Sequence, residues 1–394
     1  MYKCTSTNVH HDRLSRVRTG DRIDRVRLSL VYLPLSSPIS EEPTSSTGRR
    51  QPVTEVAFLF AELGTTDGHA GLGFSYATRA GGPGLYAHAK EIVPLLLGED
   101  PNDIGRVREK LVAAGSSTGR TGLAAQAIGA VDVGLWDLKA KRANLSLAKL
   151  LGTHRDAVPC YATTGGSLSV PAGQLVDNAK RSLAQGAGGL RITVGSPDAA
   201  PDVEKVRAVR EAVGDDVPLM AGADHHWTRG QAARTGRLLD ELGLTWLADP
   251  LDPRDVKGHA ALATTLATPV AAGTTLTGVD EHWQLISADA AGVLQPDAAA
   301  VGGITPFLRV AALADQYHLT LAPHFTTELH VHLAAAYPGP AWVEHVDWVA
   351  PLFNEKLTVE NGAVLVPDQP GIGLTLSERS RVWTTDRIEF AESV

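Results

Sequence analysis

From residue 158 onward the chain repeats one pattern eight times: a short apolar run, mostly followed by a helical stretch. The runs lie at 159–162, 189–194, 218–223, 245–248, 270–272, 292–295, 320–322 and 341–343. Apolar strands alternating with helices are what a parallel sheet with helical crossovers requires. Eight such units point to an α/β fold, a modified (β/α)8 barrel, rather than an open doubly wound sheet. No GxGxxG follows a strand, so the dinucleotide turn of such open sheets is missing.

Upstream the rhythm is different. Residues 23–35 (IDRVRLSLVYLPL) alternate apolar and polar, as a half-buried strand does. Residues 53–63 and 70–77 read as two further strands, completing an antiparallel meander. The segment 35–52, between the first strand and the second, is rich in Ser, Pro, Thr, Glu and Arg, which predicts a lid loop. Stretches 85–97 and 103–114 read as helices, and 122–151 as one long helix with apolar residues three and four apart. The predicted organisation is an N-terminal extension (1–20), an α+β domain (21–150), the barrel (151–362) and a C-terminal return to the first domain (363–394).

Composition excludes several partners. A net charge of −8 gives no electrostatic footprint for nucleic acid or an anionic membrane. No run reaches the roughly 20 apolar residues of a membrane span. The N-terminus lacks the apolar core of a signal peptide, so a cytoplasmic location is expected. Two cysteines, Cys4 and Cys160, are too few for a disulfide framework or a thiolate metal site.

Four segments carry a family resemblance. EVAFLFAELGTTDGHAGLGFSYA, AIGAVDVGLWDLKAKRANLSLAKLLG, QPDAAAVGGITPFLRVAALADQYHLTLAPHF and LVPDQPGIGLTL resemble the enolase superfamily, in its mandelate racemase/muconate lactonizing enzyme-like branch. The similarity covers roughly residues 20 to 390. It implies an N-terminal capping domain over the barrel, a small acid substrate and a homo-oligomer, dimeric or octameric. It also implies a reaction that starts by removing a proton from the carbon beside a carboxylate. In that family Mg²⁺ stabilises the resulting enolate, and bases act from opposite faces: a KxK lysine, and a His–Asp dyad.

The family places a metal-binding carboxylate at the ends of three successive strands. The matching positions here are evenly spaced and hold Gly222, Ala248 and Thr274. Both lysines are replaced as well, by Arg191 and Thr193. Arginine stays charged and cannot be a general base. The dyad matches Asp297 and His324, and Glu344 matches the acid that hydrogen-bonds the oxyanion. These residues predict catalysis by His324, Asp297 and Glu344. They predict substrate binding by Arg191, Thr193, Asp224, His226 and Thr274, with no metal and no cofactor. One-base chemistry favours a lyase (dehydratase) or a cycloisomerase-like isomerase over two-base racemisation. Two alternatives stay open: a non-catalytic protein that binds a small acid, and an enzyme with a metal relocated to Asp224 and His226. His330 and His332 read as polar residues on a helix face.

Overall fold

The structure is a computed structural model that describes residues 20–39, 53–165 and 167–392. Most of the expected N-terminal extension and of the lid loop 35–52 lies outside the described residues. Strands β1 (Ile23–Ile39), β2 (Val53–Thr65) and β3 (Ala70–Ala77) form the meander. The first strand runs four residues past Leu35, and Ile39 still pairs with Val53. Helices α1 (Gly82–Ile92), α2 (Ile104–Ala114) and α3 (Leu123–Arg142) follow.

The long helix expected over 122–151 is broken. α3 ends at Arg142, and a separate short helix, α4, covers Leu147–Leu151. Asn144 takes a left-handed backbone (φ 53°), and the Ser146 hydroxyl caps α4 by accepting from the Lys149 amide at 3.5 Å. Local chemistry at these residues overrides the helical periodicity.

α3 lies flat on β3 because both are built of small residues where they meet. A Cβ at Gly73 would sit 2.0 Å from the Ala130 carbonyl oxygen. Buried Asp137 of α3 accepts from the Leu72 amide of β3 and the Ile372 amide, both at 2.7 Å. One carboxylate thus ties the meander to the C-terminal return.

The barrel strands are β4 (Ala157–Thr163), β5 (Gly189–Thr193), β6 (Leu219–Gly222), β7 (Trp246–Ala248), β8 (Val270–Ala272), β9 (Val293–Leu294), β10 (Thr320–Leu321) and β11 (Val343–His345). They correspond to the eight runs read from the sequence. β4 to β10 pair in parallel, β11 pairs with β4, and a bridge from Leu321 to Ala341 closes the ring. Helices α5 (Ala172–Ala184), α6 (Ala199–Val213), α7 (Arg229–Asp240), α8 (Val256–Thr265), α9 (Val279–Ser287), α10 (Ile304–Gln316) and α11 (Thr327–Ala336) connect successive strands.

After β11 the chain forms β12 (Val359–Glu360) and β13 (Ala363–Leu365), and β13 adds to β4 of the barrel. A short helix, α12 (Glu378–Val382), leads to β14 (Thr384–Ala391), which pairs antiparallel with β1. The return to the first sheet is therefore made by the last strand.

Inside the barrel Tyr161, Met220 and Trp246 pack among Ala248, Ala271 and Ala322. Trp246 makes edge contacts with Tyr161 and Trp342, at 5.5 and 6.0 Å between ring centroids. Large and small side chains interleave to plug the barrel. A ligand of the barrel must sit above this floor, at the C-terminal strand ends. Among the described residues, no helix is long and apolar enough to cross a membrane.

Candidate active site

A cavity of about 560 Å³ opens at those strand ends. From the barrel it is lined by Thr163, Arg191, Thr193, Asp224, His324 and Glu344. Thr78 and Arg79 reach it from just past β3, and Trp348 from beyond β11. Of the predicted site residues, five therefore meet in one space.

Arg191 is largely buried, its side chain 13% exposed, and donates through Nη2 to Asp224 Oδ1. Burial works against its charge, but Asp224 and Glu344 outweigh it and hold the guanidinium firmly protonated. Gly222 makes room for it. A Cβ there would lie 2.1 Å from Arg191 Nη2 and 2.3 Å from the guanidinium carbon. Asp224 and His225 carry left-handed backbones, with φ of 46° and 65°. This turns the chain sharply after β6 and brings the Asp224 carboxylate back over Arg191.

Glu344 sits opposite, also buried. Its Oε1 accepts from the Thr163 hydroxyl at 2.6 Å and its Oε2 from the Phe325 amide at 3.4 Å. Burial pushes its pKa up, but His324, Arg191 and these donors more than reverse that and keep it below the ordinary range. Glu344 is thus an ionised acceptor, poised to support a cation rather than to donate to an oxyanion. His324 Nε2 lies 3.8 Å from Glu344 Oε2, with the His324 side chain 36% exposed to the cavity side.

The structure corrects the predicted dyad. Asp297 does not touch His324. Its Oδ2 accepts from the Tyr76 hydroxyl and its Oδ1 from the Ala299 amide at 2.8 Å. His324 Nδ1 is buried without a hydrogen-bond partner. The cause is Tyr76, which descends from the capping sheet and takes the carboxylate. Strand alternation in GFSYA gives the tyrosine a face, but nothing in the sequence shows what lies opposite it.

Other expected contacts are also absent from the cavity lining. His226 Nδ1 donates to the Ala223 carbonyl at 2.7 Å, and Thr274 donates to Asp249 Oδ2 at 2.6 Å. The tight turn after β6 consumes His226 locally, so Asp224 and His226 do not converge as a relocated metal site would need. Thr193 lines the cavity but spends its hydroxyl proton on the Gly165 carbonyl at 2.6 Å. His330 and His332, read as helix-face polar residues, are fully buried. His330 accepts from the Ala298 amide at 3.0 Å and donates to the Phe325 carbonyl at 2.8 Å. His332 contacts the Ala148 amide and the Ile372 carbonyl, and burial takes its pKa down to about 4. Both are neutral pins between segments.

The comparisons with known proteins agree with this architecture. Residues 41–152 match the mandelate racemase/muconate lactonizing enzyme N-terminal domain, and residues 174–380 the enolase C-terminal domain-like model. The chain is 51% identical over 374 residues to L-talarate/galactarate dehydratase of Salmonella typhimurium, covering 95% of this chain and 94% of that protein. It is 33% identical to 3,6-anhydro-alpha-L-galactonate cycloisomerase of Streptomyces coelicolor, covering 90% and 97% respectively. The crystal structure of L-talarate dehydratase from Polaromonas sp. JS666, complexed with Mg and L-glucarate, superposes with a TM-score of 0.92 at 54% identity. That match covers 95% of this chain and all of the other. The expectation of an enzyme, a lyase or an isomerase, holds at that level.

These structures also bring a correction. No Mg²⁺ and no cofactor were expected, yet a relative at 54% identity holds Mg with L-glucarate. That expectation rested on the three missing carboxylates alone. Magnesium commonly keeps waters and takes substrate oxygens as ligands, which a sequence does not display. The residues of this chain offer a different donor set from three carboxylates. Gly222 and Ala248 end adjacent strands, Thr274 follows the next, and a guanidinium lies against Gly222. Among the described residues no group of three or more His, Cys, Asp or Glu is arranged to hold a metal ion. That set does not fit an ion held by three strand-end carboxylates.

Proposed function

The chain belongs to the mandelate racemase/muconate lactonizing enzyme family of the enolase superfamily, and from that premise we propose that it dehydrates a sugar acid, a small polyhydroxylated carboxylate. The observation that carries this reading is a largely buried, charged Arg191 sharing one cavity with the His324–Glu344 pair. The names of the relatives, dehydratases and cycloisomerases of sugar acids, support the substrate class.

The chemistry follows from the side chains. Arg191 presents a planar fork that matches a carboxylate with two parallel hydrogen bonds. Charge that develops on the carboxylate as the neighbouring carbon loses its proton then faces a fixed cation. His324 takes that proton through Nε2, and ionised Glu344 stabilises the imidazolium formed. The C–O bond at the next carbon breaks as the C=C bond forms. The imidazolium returns its proton to the departing hydroxyl, which leaves as water. The enol product tautomerises to a 2-keto-3-deoxy acid. A single base suffices, as the absence of lysine at 191 and 193 requires.

A panel of aldarates and aldonates tests this directly, with keto-acid formation read as the semicarbazone and binding read by calorimetry. The wild type is expected to convert at least one acid. Arg191→Met is expected to weaken its binding by roughly ten- to a hundredfold, the worth of a charge-assisted hydrogen bond. A wild type that neither binds nor converts any panel member, or an Arg191→Met variant that binds like the wild type, ends the proposal.

A further inference from the structure

A second cleft, of about 730 Å³, lies where the capping sheet meets the C-terminal return, and it shares no lining residue with the strand-end cavity. The sheet face itself explains it. Successive residues of a strand alternate between faces, so one side of β1 carries Arg27, Ser29, Val31 and Leu33. Across the β1–β2 register Arg27 faces Glu62, Ser29 faces Phe60 and Val31 faces Phe58. Val31, Leu33, Phe58 and Phe60 pack in the core between the two domains. At Arg27, Ser29 and Glu62 the same face turns polar and lines the cleft. The opposite wall is fixed by its own hydrogen bonds: the Ser380 hydroxyl donates to the Leu352 carbonyl at 2.7 Å, and the Asn354 amide to the Thr375 hydroxyl at 2.9 Å.

Four cations from four elements line this cleft, Arg27 of β1, Lys141 of α3, Arg381 of α12 and Arg387 of β14, against one lining acid, Glu62. Three of them are balanced. Arg27 pairs with Glu389 at 2.6 Å and Glu62 at 3.6 Å, Lys141 with Asp137 at 2.7 Å, and Arg381 with Glu378 at 3.6 Å. Arg387 is not: among the described residues its guanidinium makes no ion pair and no hydrogen bond. Its directly opposite neighbour across the β1–β14 register is Ser29, so the two side chains share a face. Ser29 is 5% exposed, and its hydroxyl has no hydrogen-bond partner among the described residues. A buried hydroxyl left unpaired is costly. Both unpaired groups are donors aimed into one cleft, and the charge beside them is positive.

We propose that this cleft is a second binding site, for a small multiply charged anion whose oxygens accept from Arg387 and from the Ser29 hydroxyl. Such a group has the acceptor lone pairs that both donors lack, and the guanidinium binds it in the bidentate manner of phosphate or carboxylate. Arg27, Lys141 and Arg381 keep their own partners and add to the field that draws the anion in. The shared chemistry is a cluster of anionic oxygens, carried by a phosphate or a polycarboxylate. Bound there, the anion joins β1 and β14 of the sheet to α12 of the return and braces the capping domain. The site is independent of the dehydratase reading, since none of its residues belongs to the strand-end cavity.

Calorimetric titration of the full-length protein tests this, with inorganic phosphate and citrate as probes and chloride holding the ionic strength constant. Saturable binding of at least one probe is expected, with a matching rise in melting temperature. Arg387 is exposed, so Arg387→Gln leaves the fold intact. It is expected to weaken binding by roughly tenfold or more, the worth of a charge-assisted hydrogen bond. Ser29→Ala is expected to weaken it by a smaller factor. Arg191→Met, in the other cavity, is expected to leave the affinity for the probe unchanged. A preference for phosphate or for citrate then identifies the anionic group of the ligand. The proposal fails if neither probe binds, or if binding is unchanged in Arg387→Gln. It fails equally if Arg191→Met abolishes binding, which would put the anion in the strand-end cavity. An enzyme inactive on every acid but binding a probe through Arg387 would break the dehydratase reading and leave this one standing.

Discussion

The two arcs of the strand-end ring are built in opposite ways. From β6 to β8 the ends carry Gly222, Ala248 and Thr274, and the cavity-facing polar groups are one ion pair, Arg191 with Asp224. From β9 through β11 to β4 the ends carry Asp297, His324, Glu344 and Thr163, joined by hydrogen bonds to Tyr76, Phe325 and Ala299. The first arc has space, filled by one long side chain. The second has buried polar groups that almost all need partners. A long cation placed from a neighbouring strand substitutes for short residues, whereas a dense network holds only if every member keeps its place.

That contrast predicts where substitutions hurt. The largest effect is expected at His324, in the dense arc but on its exposed edge. His324→Asn is expected to lower turnover of the best panel acid by ~10³-fold, the scale of a lost general base, with the urea midpoint unchanged. A variant that loses stability in proportion to activity would make His324 a member of the scaffold instead.

The next effect is one of pH. Glu328 starts α11 behind β11, is buried, and leaves Oε2 without a partner. Burial raises its pKa to about 7. A carboxyl whose pKa is higher folded than unfolded contributes stability at low pH, and that contribution is lost as the pH rises through 7. Glu328→Gln is therefore expected to be more stable than the wild type at pH 8 by about 1–3 kcal/mol. The advantage should vanish near pH 4.5, below the folded-state titration. Urea unfolding at the two pH values measures it, and an equal difference at both would show that folding does not raise the Glu328 pKa.

The smallest effect probes the sparse arc. Gly222→Ala forces the Arg191 guanidinium aside and is expected to cost about 1–3 kcal/mol, as overpacking does. In an Arg191→Met background the same change should cost much less, because the clashing atoms are gone. Full additivity of the two changes would mean that Gly222 is needed for its own backbone and not for the arginine.

Much of the fold was legible because it is written locally. The eight barrel strands were readable as apolar runs, and the resemblance of QPDAAAVGGITPF and its neighbours placed His324 and Glu344 at strand ends. Arg191 was readable too, because the resemblance put it at the first lysine position of the KxK pair. The break at Asn144 was missed because an extended apolar periodicity hides a single left-handed residue. The expectation of no cofactor is overturned by a relative that holds Mg, not by any residue of this chain.

The sequence by itself determined which groups stand at the strand ends, since strand period and spacing are local properties of the chain. Only the tertiary structure decided which of them pair. Tyr76 and Asp297 lie 221 positions apart, on different sheets, and meet because α3 seats β3 against the barrel. The partner of a buried carboxylate is whichever donor the packing delivers first. Here it delivered a phenol from the capping sheet, and left the histidine facing Glu344.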